Sequence, residues 1–216
     1  MFKRHKIIMI LAVTAVFSIL GCQRTYYSFW EKLGKEKRHL LGDQIKKVSA
    51  EQEEATEQFQ DTLSQIKALY GYEGGEIEKV YENLKDDYER SRESYHEIQE
   101  RIGNVSEIAN DLFDEWEAEL DEIQNKKLRS QSRQSLNSTK ARFARVYSAM
   151  KKAEASMEPV ITNLNDYVLY LKHNLNAQAI GALRGEADNI AIDIRKLIED
   201  MNASIREAEA FIQDLN

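Results

Sequence analysis

The chain has 216 residues, 31% charged and 42% hydrophobic, with a formal net charge of −7, nine Gly, one Pro and one Cys. That hydrophobic share excludes a disordered chain, the lone Cys excludes a disulfide scaffold, and so few Gly and Pro exclude a turn-dense all-β fold. The acidic balance makes nucleic acid an unsuitable general partner.

The first segment reads as a targeting signal. Lys3, Arg4 and Lys6 precede an apolar run from Ile7 to Leu20. The run falls short of the roughly 20 residues of a membrane span and suits a signal-peptide core. It ends in Ile19-Leu20-Gly21-Cys22 and turns polar at Gln23 and Arg24. This order of apolar, any, small, Cys resembles the bacterial lipobox. The resemblance implies cleavage before Cys22, loss of residues 1–21, and acylation of the Cys22 thiol with a fatty acid such as palmitate. Residues 22–25 then form an acylated tether. Losing Lys3, Arg4 and Lys6 moves the formal charge from −7 to −10. Each buried acyl CH₂ contributes about 0.8 kcal/mol, so a multiply acylated cysteine holds a soluble domain at a membrane. By the Gram-negative sorting pattern, Gln23 in place of Asp implies the outer membrane, facing the periplasm; a Gram-positive source would place the chain on the outer face of the cytoplasmic membrane.

Beyond the tether, apolar residues recur at alternating steps of three and four, the spacing of one helix face. Over 26–70 the stripe is weak: Trp30, Leu33, Leu40, Val48, Ala55, Phe59, Ile66 and Leu69, with Lys37, Gln44 and Gln52 at in-register positions. Gly71-Tyr72-Glu73-Gly74-Gly75, the only glycine cluster, predicts a turn. The remaining residues, 71–216, read as the helical core.

A second stripe runs through Ile77, Tyr81, Leu84, Tyr88, Ser91, Tyr95, Ile98, Ile102, Val105, Ala109, Leu112 and Trp116. A third runs through Leu136, Thr139, Phe143, Val146, Met150, Ala153, Met157, Val160, Leu164, Tyr167 and Leu171. The fourth contains Ile180, Leu183, Ala187, Ile190, Ile194, Leu197, Met201, Ile205, Ala208, Phe211 and Leu215. The polar stretch Ser130–Ser135 predicts the second turn, and Asn174 to Gly181, with Gly185, the third. Helices are therefore expected at about 26–70, 76–128, 135–176 and 180–214, with Pro159 kinking the third or starting a new one. Such spacing packs helices side by side. The fold class is all-α: an elongated antiparallel bundle or coiled coil of three to four long helices.

Charge order agrees with an antiparallel hairpin. Glu73 to Glu122 holds 18 acids and five bases, whereas Ile123 to Ala153 holds nine bases and no acid. A turn near residue 132 would set Arg142 and Arg145 beside Glu119 and Glu122, and Lys151 beside Asp111 or Asp114.

Three stretches together resemble an uncharacterised bacterial family, domain of unknown function 2959. They are Asp111-Leu112-Phe113-Asp114-Glu115-Trp116-Glu117, Met150 through Val160, and Val168-Leu169-Tyr170-Leu171-Lys172-His173-Asn174-Leu175-Asn176-Ala177. The resemblance covers about residues 70–212. It implies an elongated helical exported protein and supplies no activity.

Candidate chemistry is sparse. Helical bundles build di-metal sites from Glu-x-x-His pairs that project inward. Glu36-x-x-His39 and Glu93-x-x-His96 have that spacing, but the stripes turn both pairs outward, so no metal and no cofactor is expected. The chain has no Gly-rich phosphate loop, no nucleophile elbow and no His-Glu-x-x-His, so no catalytic residue is assigned. Two tips remain. Tyr70, Tyr72, Lys172, His173 and Asn174 form a candidate partner-binding cluster at one end, with a helix C-cap as the plainer reading of Lys172, His173 and Asn174. Lys126, Lys127, Arg129 and Arg133 form a basic tip at the other, expected near the membrane. The sequence thus reads as a lipid-anchored, non-enzymatic scaffold or adaptor of the bacterial envelope, the alternative being a binding module for anionic lipid or a cell-wall polymer through a helical-hairpin tip. Its partners are the membrane through Cys22, an envelope protein, and, from the weak first stripe, further copies of itself.

Overall fold

The structure, a computed structural model, describes residues 37–68 and 77–215. The chain divides into two compact units, Met1–Leu40 and Leu41–Asn216. Of the first, only Lys37–Leu40 is described, as one helical turn. Apart from that turn and the exposure of His39, everything below concerns the second.

Four helices make up the described residues: α1 (Lys37–Ala68), α2 (Ile77–Glu122), α3 (Lys126–His173) and α4 (Ala177–Leu215). No strand occurs among them. At 1.5 Å per residue the 46 residues of α2 extend about 69 Å. A helix that long is held by its neighbours more than by its own propensity, and cross-helix contacts define those neighbours.

Gln99 Nε2 on α2 donates to Glu154 Oε1 on α3 at 3.2 Å, and Lys140 Nζ meets Glu117 Oε2 at 2.9 Å, so α2 and α3 are antiparallel. Arg142 pairs with Asp214, Lys152 with Asp200, and Asn163 Nδ2 donates to Asp193, so α3 and α4 are antiparallel. α1 runs antiparallel to α2 through Arg101–Glu51 at 2.8 Å and Gln58 Nε2 to Ser91 Oγ at 3.1 Å. Thr56 of α1 also meets Met201 of α4, and the three successive antiparallel pairings make these two helices antiparallel as well. From Leu41 to Leu215 the unit is an up-down-up-down four-helix bundle. α1, the weaker first helix, is part of it.

The interior follows the stripes. All eleven predicted positions of α3, from Leu136 to Leu171, are buried. Burial of a side chain such as Met150 or Met157 contributes about 1.5–3 kcal/mol. Phe143 ties three helices together, with ring centroids 5.6 Å from Phe113 on α2 and 6.0 Å from Phe211 on α4. In α1, Leu41, Ile45, Val48, Ala55, Phe59 and Ile66 are buried in the same chain's bundle. The weak stripe on which self-association was expected is thus covered from within over these residues.

The turns differ from their expected places. The α2–α3 link is only Ile123–Asn125, and Ser130–Ser135 lies inside α3. Asn125 sets this boundary: as N-cap its side chain accepts from the backbone N–H of Lys127 and of Leu128. Nothing in Ser130–Ser135 breaks a helix, and Ser132 Oγ accepts from Trp116 Nε1 at 2.9 Å. The shift also moves the ion pairs. Arg142 meets Asp214 of α4 instead of Glu119, and Lys151 pairs with Glu154 of its own helix instead of Asp111 or Asp114. The α3–α4 link is residues 174–176, so Gly181 and Gly185 sit within α4 rather than in a turn. α3 continues through Pro159, which is exposed, so no new helix starts there.

Candidate functional site

The cluster at the α3–α4 link is part cap and part exposed surface. Lys172 and His173 are exposed in the last turn of α3, where a positive charge suits the helix C-terminus. Asn174 closes the helix. Its backbone N–H donates to Leu171 O at 3.0 Å and its side-chain amide donates to Tyr170 O at 2.9 Å. Asn176 then opens α4, its side-chain oxygen accepting from Ala179 N–H at 3.0 Å. The plainer reading of Asn174 therefore holds. Leu169, Tyr170 and Leu175 are exposed around it, at 49%, 39% and 42%. This exposed group was not singled out from the sequence, because Leu169 and Tyr170 flank the stripe position Leu171 and read as neighbours of the core. Tyr70 and Tyr72 lie outside the described residues. The ends of α1 at Ala68 and α2 at Ile77 lie at the same end of the bundle as His173, as the antiparallel pairings require.

The basic tip is one face of a mixed hairpin. Lys126, Lys127 and Arg133 are exposed, while half-buried Arg129 donates through Nε to Ile123 O at 2.8 Å. Glu119, Asp121 and Glu122, all exposed, lie in the last turn of α2 across the short link, so acids and bases share this tip. Leu128 stands between Lys127 and Arg129 with 54% of its surface exposed. Of the metal-spacing residues, Glu93, His96 and His39 are exposed, as the stripes required, and Glu36 lies outside the described residues. Among the described residues no three His, Cys, Asp or Glu side chains gather as metal ligands.

The less expected arrangement is inside the bundle. Two acids of the α2–α3–α4 side are buried with full sets of partners. Glu154 accepts from Gln99 and Lys151. Asp200 accepts from Lys152 Nζ at 2.8 Å and from Ser156 Oγ at 2.5 Å. Burial pushes the Asp200 carboxyl up, but these two donors outweigh it and hold its pKa below the ordinary value of 3.8.

The α1 side is different. Gln52 on α1 is fully buried, and neither its amide nitrogen nor its oxygen has a partner. Ser204 on α4, also fully buried, has an unpartnered hydroxyl. Gln52 lies one turn before Thr56 and Ser204 one turn after Met201, so the antiparallel contact of Thr56 with Met201 brings both to one level of the seam. On α2, Asp87 is buried facing Gln58. One carboxylate oxygen pairs with Arg90 at 2.6 Å; the other has no partner at hydrogen-bond distance, and the nearby Thr62 hydroxyl of α1 only partly offsets its burial. Burial raises its pKa above 3.8, against the opposing pull of Arg90. Each unpaired buried polar group costs about 1–3 kcal/mol.

None of the described helices is long and apolar enough to cross a membrane. The signal segment and Cys22 lie outside the described residues. No curated protein and no solved structure matches the chain. A family model does match, over residues 26–215, well beyond the stretches that carried the resemblance in the sequence. The chain belongs to the family described as Protein of unknown function (DUF2959).

Proposed function

We propose that the chain is a non-enzymatic scaffold or adaptor of the bacterial cell envelope, anchored by an acylated Cys22 in the outer membrane and facing the periplasm. The observation that carries this reading is the interior of the bundle. Inward positions along the whole of α3 are filled by packing side chains, and the buried acids Glu154 of α3 and Asp200 of α4 are spent on joining helices. Such a body presents long outer faces and the capped α2–α3 and α3–α4 links to its surroundings. Metabolic labelling with an alkyne fatty acid tests the anchor. The wild type takes up label and sediments with membranes, and Cys22→Ser does neither; an unlabelled wild type would overturn the anchor. Photo-crosslinking in cells from Tyr72 and from Arg133 tests the adaptor role, which predicts one recurrent envelope protein.

A second reading is a binding module for anionic lipid or a cell-wall polymer through the hairpin tip. Exposed Leu128 amid Lys126, Lys127 and Arg129 favours it, since an apolar side chain ringed by cations suits a headgroup interface. Crosslinks from Arg133 to lipid or glycan alone would support this reading over the first.

A further inference from the structure

The polar atoms left without partners are not spread evenly. Seven buried side-chain nitrogen and oxygen atoms among the described residues lack one. Six of them are on α1 or face it. Gln52 and Gln65 are on the helix itself. Asp87 lies opposite Gln58, Arg101 pairs with Glu51, and Ser204 lies beside the Thr56–Met201 contact. The seventh is on Arg142 of α3. The seams of the other three helices carry paired acids and the aromatic group around Phe143.

We infer that α1 is a releasable helix. From Leu41 to Ala68 it undocks as one body while α2, α3 and α4 persist as a three-helix core. Cooperative units of a fold open in order of their local stability, and the seam with unpaired buried groups is the one that opens first. Undocking hydrates Gln52, Ser204 and the free oxygen of Asp87 together, and it uncovers the faces of α2 and α4 that α1 had covered. Release of α1 depends neither on the anchor nor on the adaptor role.

Hydrogen exchange read by mass spectrometry on the intact protein in detergent tests this. Peptides throughout α1 are expected to exchange at least about tenfold faster than peptides of α3 from Phe143 to Leu164, the spacing expected of a sub-global opening. Replacing the unpaired amide by an apolar side chain of similar length, Gln52→Met or Gln52→Leu, is expected to slow exchange about tenfold along all of α1, including residues 60–68, and to leave α3 unchanged. Equal protection of α1 and α3 in the wild type would overturn the inference. So would slowing confined to the turns next to residue 52, or no slowing in either variant, because α1 would then not move as one body.

Discussion

The hydroxyl of Thr56 lies 3.5 Å from the sulfur of Met201, 145 positions later in the chain. That contact closes the ring of four helices, and Phe59, fully buried one turn further along α1, packs into the interior that it encloses. Phe59→Ala should cost about 3–5 kcal/mol of α1 docking, and Met157→Ala about 2–5 kcal/mol of the stability of the three-helix core. Urea denaturation followed by circular dichroism should show an early, smaller transition for Phe59→Ala. For Met157→Ala the main transition itself should move to lower urea.

The pH dependence of stability should carry two opposite signatures. Asp200 has a lowered folded-state pKa, so its contribution is present above about 3.8 and is lost as the pH falls through the folded value. Asp200→Asn should therefore lower the urea midpoint at pH 7, with the deficit narrowing in acid. Asp87 has a raised pKa. Its ionised form weakens the fold at neutral pH, and that penalty fades as the pH falls through the raised value toward 3.8. Asp87→Asn should raise the midpoint at pH 7 and lose that advantage in acid. Identical pH profiles for the two variants would contradict both assignments.

Gly181 and Gly185 lie inside α4 with open space where a Cβ would stand. Glycine in a helix interior costs roughly 0.5–1 kcal/mol relative to alanine. Gly181→Ala and Gly185→Ala should each raise the melting temperature, additively within error since neither side chain meets a neighbour. A drop for either would mean that α4 is not helical there.

The link between α2 and α3 depends on one side chain. Asn125→Ala should cost about 1 kcal/mol, and Asn125→Gly only a few tenths, because glycine also suits the cap position. Thermal denaturation of the pair distinguishes capping from simple loss of bulk, which would rank glycine as the worse of the two.

Helix number, antiparallel order and the stripe of α3 could be read in the sequence because strict three-four spacing leaves one solution for the buried face. α2 was less legible. Its stripe passes through Tyr88, Tyr95, Leu112 and Trp116, which are only half-buried, while Asp87, Ile108 and Phe113 are buried. A straight helix drifts from a seven-residue repeat by about 20° per heptad, so a long strict pattern slides off the core. The α2–α3 turn was missed for a different reason. Absence of apolar residues in Ser130–Ser135 looks like a loop, but those residues tolerate a helix, whereas Asn125 supplies a positive start signal. The polar seam was half visible: Gln52 stands in register on the weak stripe, yet only the packed bundle reveals that nothing pairs with it. Leu169 and Tyr170 were hidden because they flank the stripe position Leu171, and Leu175 because it lies in the link, where helix periodicity says nothing about exposure.

Links of three residues at 123–125 and 174–176 let α2, α3 and α4 zip as soon as each becomes free to fold. α1 has no such privilege. Its mate on α4 emerges 145 residues later, about 7–29 s at ordinary elongation rates of 5–20 residues per second. For that interval α1 has only α2 to pack against, and amides and hydroxyls along its inner face keep the half-covered helix compatible with water until α4 arrives.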